Sequence, residues 1–318
     1  MNRQPLWRST PPAIFPVILG LIGLALVWRG FGLQFGLLTA LGDILMGIAA
    51  ALLAFFMLSY FAKLFAHPGT LMNDLKSPPG RAGVSAISTA LIVLSVGLLP
   101  YGEIAGYIWW AGVVLHVIIV LFVLKALAKS QPTGRSVTPF LFLPFVGLIT
   151  APLAGIPLGY MILSQTFSYI SLVAFLAITA RLIGKFIRTR PPAPLRPPYA
   201  IILAMFSLFG LAFGQFGPET GFAMFYFLAW GAALALLVFA TWLTTAGFTP
   251  MWGELTFPVT TFPLINIVAI DKGYGVIATT GLISGALIAT ALVIFVAYNA
   301  LKMWAKRDLA KKTGAAVA

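Results

Sequence analysis

From residue 12 to residue 305 one apolar run follows another, broken only by short clusters of charged, Gly or Pro residues. A helical span needs about 20 predominantly apolar residues to cross the hydrocarbon core. Within lipid, only helices and closed barrels satisfy their own backbone polar groups, and a barrel would be written in short segments of alternating polarity. With 60% hydrophobic and only 8% charged residues, the chain reads as an all-α integral membrane protein. Breaking the runs at charges and Gly/Pro loops gives ten spans: 12–29, 37–66, 84–100, 104–129, 139–156, 158–187, 198–214, 222–247, 255–270 and 276–304. A segment 1–11 precedes them and a basic tail 306–318 follows. The opening residues lack a short apolar stretch with a small-residue cleavage site, so they are expected to be retained.

The net charge of +13 follows a pattern. With the N-terminus in the cytoplasm, the inner side holds Arg3, Arg8, Lys63, Lys76, Arg81, Lys125, Lys129, Arg135, Arg181, Lys185, Arg188, Arg190 and Arg196. The tail adds Lys302, Lys306, Arg307, Lys311 and Lys312, making 18 of the 20 basic residues. Glu103, Glu219 and Asp271 fall outside with Arg29 and Lys272. This is the positive-inside distribution of a protein with both termini in the cytoplasm, and it removes the reason to invoke nucleic acid as a partner. There is no Cys, and two His with seven acids cannot build a metal cluster, a haem pair or a nucleophile–base set. Neither an enzyme nor a cofactor is expected.

Prolines add a second regularity. The even spans are long and free of internal proline, whereas odd spans carry Pro16, then Pro144 and Pro152, then Pro258 and Pro263. Proline in a helix interior costs about 3 kcal/mol and is tolerated in a membrane where protein or a water-filled cavity surrounds the broken backbone. The pattern predicts five short–long hairpins in two layers, odd segments inside and even segments against lipid.

The stretches FPVILGLIGLALVWR (15–29), TPFLFLPFVG (138–147) and LTFPVT (255–260) resemble the first, fifth and ninth helices of the tellurite-resistance/dicarboxylate transporter family. That family includes the bacterial TehA proteins and the plant guard-cell slow anion channels, and the order of spans matches over residues 12–305. The resemblance implies five pseudo-symmetric hairpins, an inner ring of odd helices around one pore per protomer and a homotrimer in the bacterial cytoplasmic membrane. It further implies anion conduction closed by a phenylalanine of the ninth helix, matched here by Phe257.

Helical geometry at about 100° per residue places Thr260 and Thr261 on the Phe257 face and Phe262 some 140° away. One ring is therefore expected in the pore and the other among neighbouring helices. Packing accounts for nearly all of the 26 phenylalanines; Phe257 is assigned to the pore because hydroxyl-bearing Thr260 shares its face. An aromatic ring across a narrow apolar tube dewets it and blocks hydrated ions. Pore-lining or kink positions are expected at Pro16, Pro144, Thr150, Pro152, Pro258, Thr260, Thr261 and Pro263. The odd spans contain no internal Lys or Arg, so anion preference would rest on helix dipoles, hydroxyl donors and few carboxylates. Such a weak field favours nitrate over chloride.

Three titratable groups keep two readings each. Asp43 is a functional intramembrane acid or an acid solvated near the outer surface. His116 is a proton relay or a hydrogen-bonded core residue. Glu254 caps the ninth helix or controls anion access. The segment 188–198 (RTRPPAPLRPP) reads as a stiff basic linker. Two functions compete: a passive channel for small inorganic anions such as nitrate and chloride, or a secondary transporter of tellurite- or sulfite-like oxyanions or C4-dicarboxylates, coupled to protons through Asp43 or His116.

Overall fold

The computed structural model describes residues 5–37, 39–130 and 136–316. Arg3 and Arg135 of the topology argument lie outside the described residues. Ten segments carry the fold: α1 (Phe15–Gln34), α2 (Ala40–Ala66), α3 (Pro78–Leu98), α4 (Ile104–Lys129), α5 (Pro139–Gly155), α6 (Met161–Arg188), α7 (Ile201–Phe216), α8 (Glu219–Val238), α9 (Gly253–Asp271) and α10 (Gly275–Ala305). Among the described residues nine helices are long and apolar enough to cross a membrane, and α5 is shorter. No strand occurs among them.

Each odd segment packs on the even segment that follows it, giving five hairpins. The odd segments also touch one another in a closed sequence: α1 on α3, α3 on α5, α5 on α7, α7 on α9, and α9 back on α1. Burial separates the two sets. In its most apolar stretch α3 is 83% buried, while α6 and α8 are 22% buried. The exposed large apolar side chains of the even helices, such as Phe55 and Leu58 on α2 or Val117 and Leu121 on α4, recur at helical spacing. An apolar surface this extensive suits acyl chains rather than water.

The prolines act differently from position to position. Pro16 is the second residue of α1, where its missing N–H has no intrahelical partner to lose; it starts that helix rather than kinking it. Pro78 and Pro79 likewise open α3, where the Gly80 N–H donates to Ser77 Oγ at 3.1 Å. This helix therefore begins six residues before the expected boundary of 84 and takes Arg81 into its first turn. The break falls in α5, which runs 3₁₀ (Pro139–Leu141), α (Phe142–Val146), 3₁₀ (Gly147–Thr150) and α again from Pro152, the first residue of its own turn. Pro258 and Pro263 do not break α9, which stays helical from Gly253 to Asp271.

The tail is not a free extension. After Arg307, in the left-handed region at φ 64°, a short helix Asp308–Thr313 buries Leu309 and Ala310 against Pro12–Ile14 and Pro250–Trp252. The tail helix and the segment before α1 thus meet on the basic face. The 188–198 linker is also anchored: the Arg196 guanidinium donates to the Trp242 carbonyl at 3.2 Å and lies 4.7 Å over the Trp242 ring.

Candidate anion pathway

α9 and α1 approach closely because α1 presents glycine. A Cβ added at Gly20 would strike Thr256, and one at Gly23 would strike Thr260. The same added Cβ at Gly23 would stand 3.5 Å from Cδ2 of Phe257. Phe257 is 4% exposed and lies toward α1 among the inner segments. Phe262 points elsewhere: its ring centroid is 5.0 Å from that of Trp230 at 83°, beside Leu203 and Ala229, at a crevice of about 100 Å³ between α7, α8, α9 and α10. The two phenylalanines thus serve opposite sides of one unbroken helix.

The threonines are buried and their hydroxyl hydrogens are committed. Thr256 Oγ1 lies 2.7 Å from the Gly253 carbonyl and 2.9 Å from that of Pro16. Thr260 donates to the Phe257 carbonyl at 2.8 Å, Thr261 to that of Pro258 at 2.9 Å and Thr150 to that of Gly147 at 2.8 Å. A hydroxyl has one hydrogen, so these groups turn lone pairs, not donors, toward anything beside them. Thr260 also occupies the α1 contact. The expected field of hydroxyl donors is therefore not presented by these residues. A cation is added instead: Arg81, fully buried in the first turn of α3, places a guanidinium on an inner segment at the basic face.

His116 is fully buried and braces the break in α5. Its Nε2 lies 3.1 Å from the Pro144 carbonyl and its Nδ1 2.9 Å from Ser88 Oγ on α3. The carbonyl can only accept, so Nε2 carries the proton; Nδ1 faces the Ser88 hydroxyl, whose oxygen also lies 2.9 Å from the Ser85 carbonyl. Gly147 makes the fit possible, since a Cβ there would stand 2.7 Å from His116 Cε1 and 3.0 Å from Thr89 Oγ1. Pro144 is brought to this locus, while Thr150 bonds the Gly147 carbonyl next to it and Pro152 opens the following turn of α5.

Asp43 stands apart from both. Its Oδ1 is 2.7 Å from Arg29 Nη2 and 2.8 Å from Arg29 Nε, and Arg29 Nη1 donates to the Gly97 carbonyl at 2.6 Å. This pair clips α1, α2 and α3 together at the face opposite the termini, with the Asp43 side chain 41% exposed. Glu254 is half-buried in the first turn of α9, one turn from Phe257, and has no ion-pair partner among the described residues.

Two polar assemblies escaped the sequence reading. Lys63, counted there as one more surface cation, is fully buried against Asp74. Asn266, visible as an amide in an otherwise apolar span, accepts from the Tyr226 hydroxyl at 3.1 Å and donates to the Phe262 carbonyl at 2.8 Å, joining α8 to α9. Among the described residues no group of three or more His, Cys, Asp or Glu is placed to hold a metal ion.

A family model described as voltage-dependent anion channel matches residues 9–304. A search of curated proteins returned no match.

Proposed function

The chain belongs to the voltage-dependent anion channel family, and from that premise we propose that it is a passive anion channel with Phe257 as its gate. The observation that carries this reading is the position of the Phe257 ring, 4% exposed and turned toward α1 among five inner segments that touch in a closed sequence. An apolar ring across that axis imposes a desolvation barrier on a hydrated anion. Side-chain rotamers hop in ps–ns when free, so a lasting open state requires a slower adjustment of the segments around the ring. Pro258, whose missing N–H leaves the Glu254 carbonyl without its intrahelical donor, makes that turn of α9 the easiest to adjust.

Ion coupling needs titratable groups free to change partners. Asp43 is held by Arg29, and both ring nitrogens of His116 are engaged; this supports a channel over a proton-coupled exporter of oxyanions or dicarboxylates. Arg81 adds a buried base to the inner layer on the basic face. With the donors of Thr150, Thr260 and Thr261 occupied, dehydration dominates selectivity and nitrate passes more readily than chloride. The assembly is a homotrimer with one pore per protomer, set in the bacterial cytoplasmic membrane with the basic face inward.

Planar-bilayer recording tests the gate. Phe257→Ala raises basal anion current at least about tenfold, equivalent to ~1.4 kcal/mol off the barrier. Phe262→Ala leaves current near the wild-type level and costs packing. The opposite result exchanges the two roles, and uphill anion flux driven by a proton gradient makes the protein a transporter.

A further inference from the structure

Between α4 and α6, over the broken α5, runs a groove of about 670 Å³. Its floor is Leu141, Pro144, Phe145 and Leu148 of α5, and Phe145 and Leu148 stay partly exposed there. Among the described residues every lining residue is apolar except Arg181. Its volume lies in the range of small-molecule sites. Arg181 is exposed and stands seven residues before the end of α6 at Arg188, about 10 Å of helix rise inside it. A cation beside an apolar groove favours a neutralising anion, and Arg181 has no carboxylate partner among the described residues.

A neighbouring copy cannot supply the missing charge. Of the seven acids, Asp43, Glu103, Glu219 and Asp271 belong to the opposite face. On the basic face Asp74 is fully buried against Lys63, Glu254 sits on the inner α9, and Asp308 lies in the tail helix docked under α1 and α9. None is carried on an outward helix at the level of Arg181. Lys125 and Lys129, exposed on α4 but outside the groove lining, add positive charge to the same end of that helix.

We propose that this groove is a binding site for an anionic phospholipid, its phosphate on Arg181 and one acyl chain laid along α5. Basic pockets between transmembrane helices on the cytoplasmic side take lipid headgroups in this way. The acyl chain would cover Phe145 and Leu148 and complete the wall of the inner layer where no even helix does.

The test uses the full chain in nanodiscs of equal phosphatidylglycerol and phosphatidylcholine, with retained lipid read by native mass spectrometry after mild extraction. Wild type retains phosphatidylglycerol in preference. Arg181→Gln lowers that retention about fivefold, Arg181→Lys keeps most of it, and Ala177→Trp, which fills the apolar stretch, lowers retention of both lipids. Unchanged phosphatidylglycerol retention in both Arg181→Gln and Ala177→Trp overturns the proposal. So does efficient disulfide formation between copies carrying Ala177→Cys, which would put a second copy in the groove. Because the readout is bound lipid rather than current, it fails or succeeds independently of the gate.

Discussion

Lys63 Nζ lies 3.1 Å from Asp74 Oδ2, and both side chains are fully buried. The carboxylate is shared further: the Tyr60 hydroxyl donates to Oδ2 at 2.9 Å and the Ala316 N–H donates to Oδ1 at 2.7 Å. Lys63 also donates to the Thr10 carbonyl at 3.1 Å. One ion pair thus ties the start of the chain, the end of α2, the short helix Gly69–Asp74 and the tail. Removing one partner of a buried pair leaves an uncompensated charge and costs about 3–5 kcal/mol. Asp74→Asn and Lys63→Met are expected to lose that much stability in thermal unfolding in detergent. Asp43→Asn, at an ion pair whose acid is 41% exposed, is expected to lose under ~1 kcal/mol. Equal losses at the two sites would refute this ranking.

The contrast shows where sequence reading stops. Lys63 and Arg181 each lie near the cytoplasmic end of an apolar run, and the positive-inside count treats them as equals. Only tertiary packing distinguishes a cation sealed against Asp74 from one left at a groove. The layering was legible because proline alternation and span length are local properties that burial must respect. The role of each proline was not. Pro16 and Pro152 begin helical turns and Pro258 and Pro263 are absorbed by α9; the break at α5 depends on His116 of α4 receiving the Pro144 carbonyl, a relation between residues 28 positions apart. Arg81 was missed for a related reason. Pro78 and Pro79 lie before the expected span 84–100 but are the first two residues of α3, capped by Ser77.

The α1–α9 contact predicts a steric effect. Gly23→Ala drives a methyl group into Thr260 Oγ1 and Cβ, and over-packing of this kind costs about 1–3 kcal/mol. Thermal unfolding is expected to fall accordingly for Gly23→Ala and to recover in part in Gly23→Ala/Thr260→Ala. Gly47→Ala on α2, with nothing within 4 Å of the added carbon, is expected to be silent. Loss of stability in the α2 variant equal to that at Gly23 would rule the contact out as the cause.

His116 predicts a different signature. Replacing it by Leu strands the Pro144 carbonyl inside α5, a buried unpaired acceptor worth about 1–3 kcal/mol. His116→Gln, which keeps an amide donor, is expected to recover part of the loss. As a brace rather than a relay, neither variant is expected to change the response of anion flux to a proton gradient. Proton-driven flux that disappears in both would show that the ring carries protons.

Thr260→Val separates the two accounts of selectivity. If the hydroxyl donated to passing anions, its removal would reduce conductance and shift the permeability series. Here the hydroxyl hydrogen goes to the Phe257 carbonyl at 2.8 Å, one turn back on the same helix, as buried threonines in helices commonly do. Val keeps the branched shape and loses only that bond, worth about 0.5–1.5 kcal/mol of stability. The nitrate-to-chloride permeability ratio, read from reversal potentials in mixed salts, is therefore expected to stay at the wild-type value. A reversal potential that moves toward chloride exclusion in Thr260→Val would mean that the threonine turns its hydrogen to the ion during conduction, and that selectivity is built from donors after all.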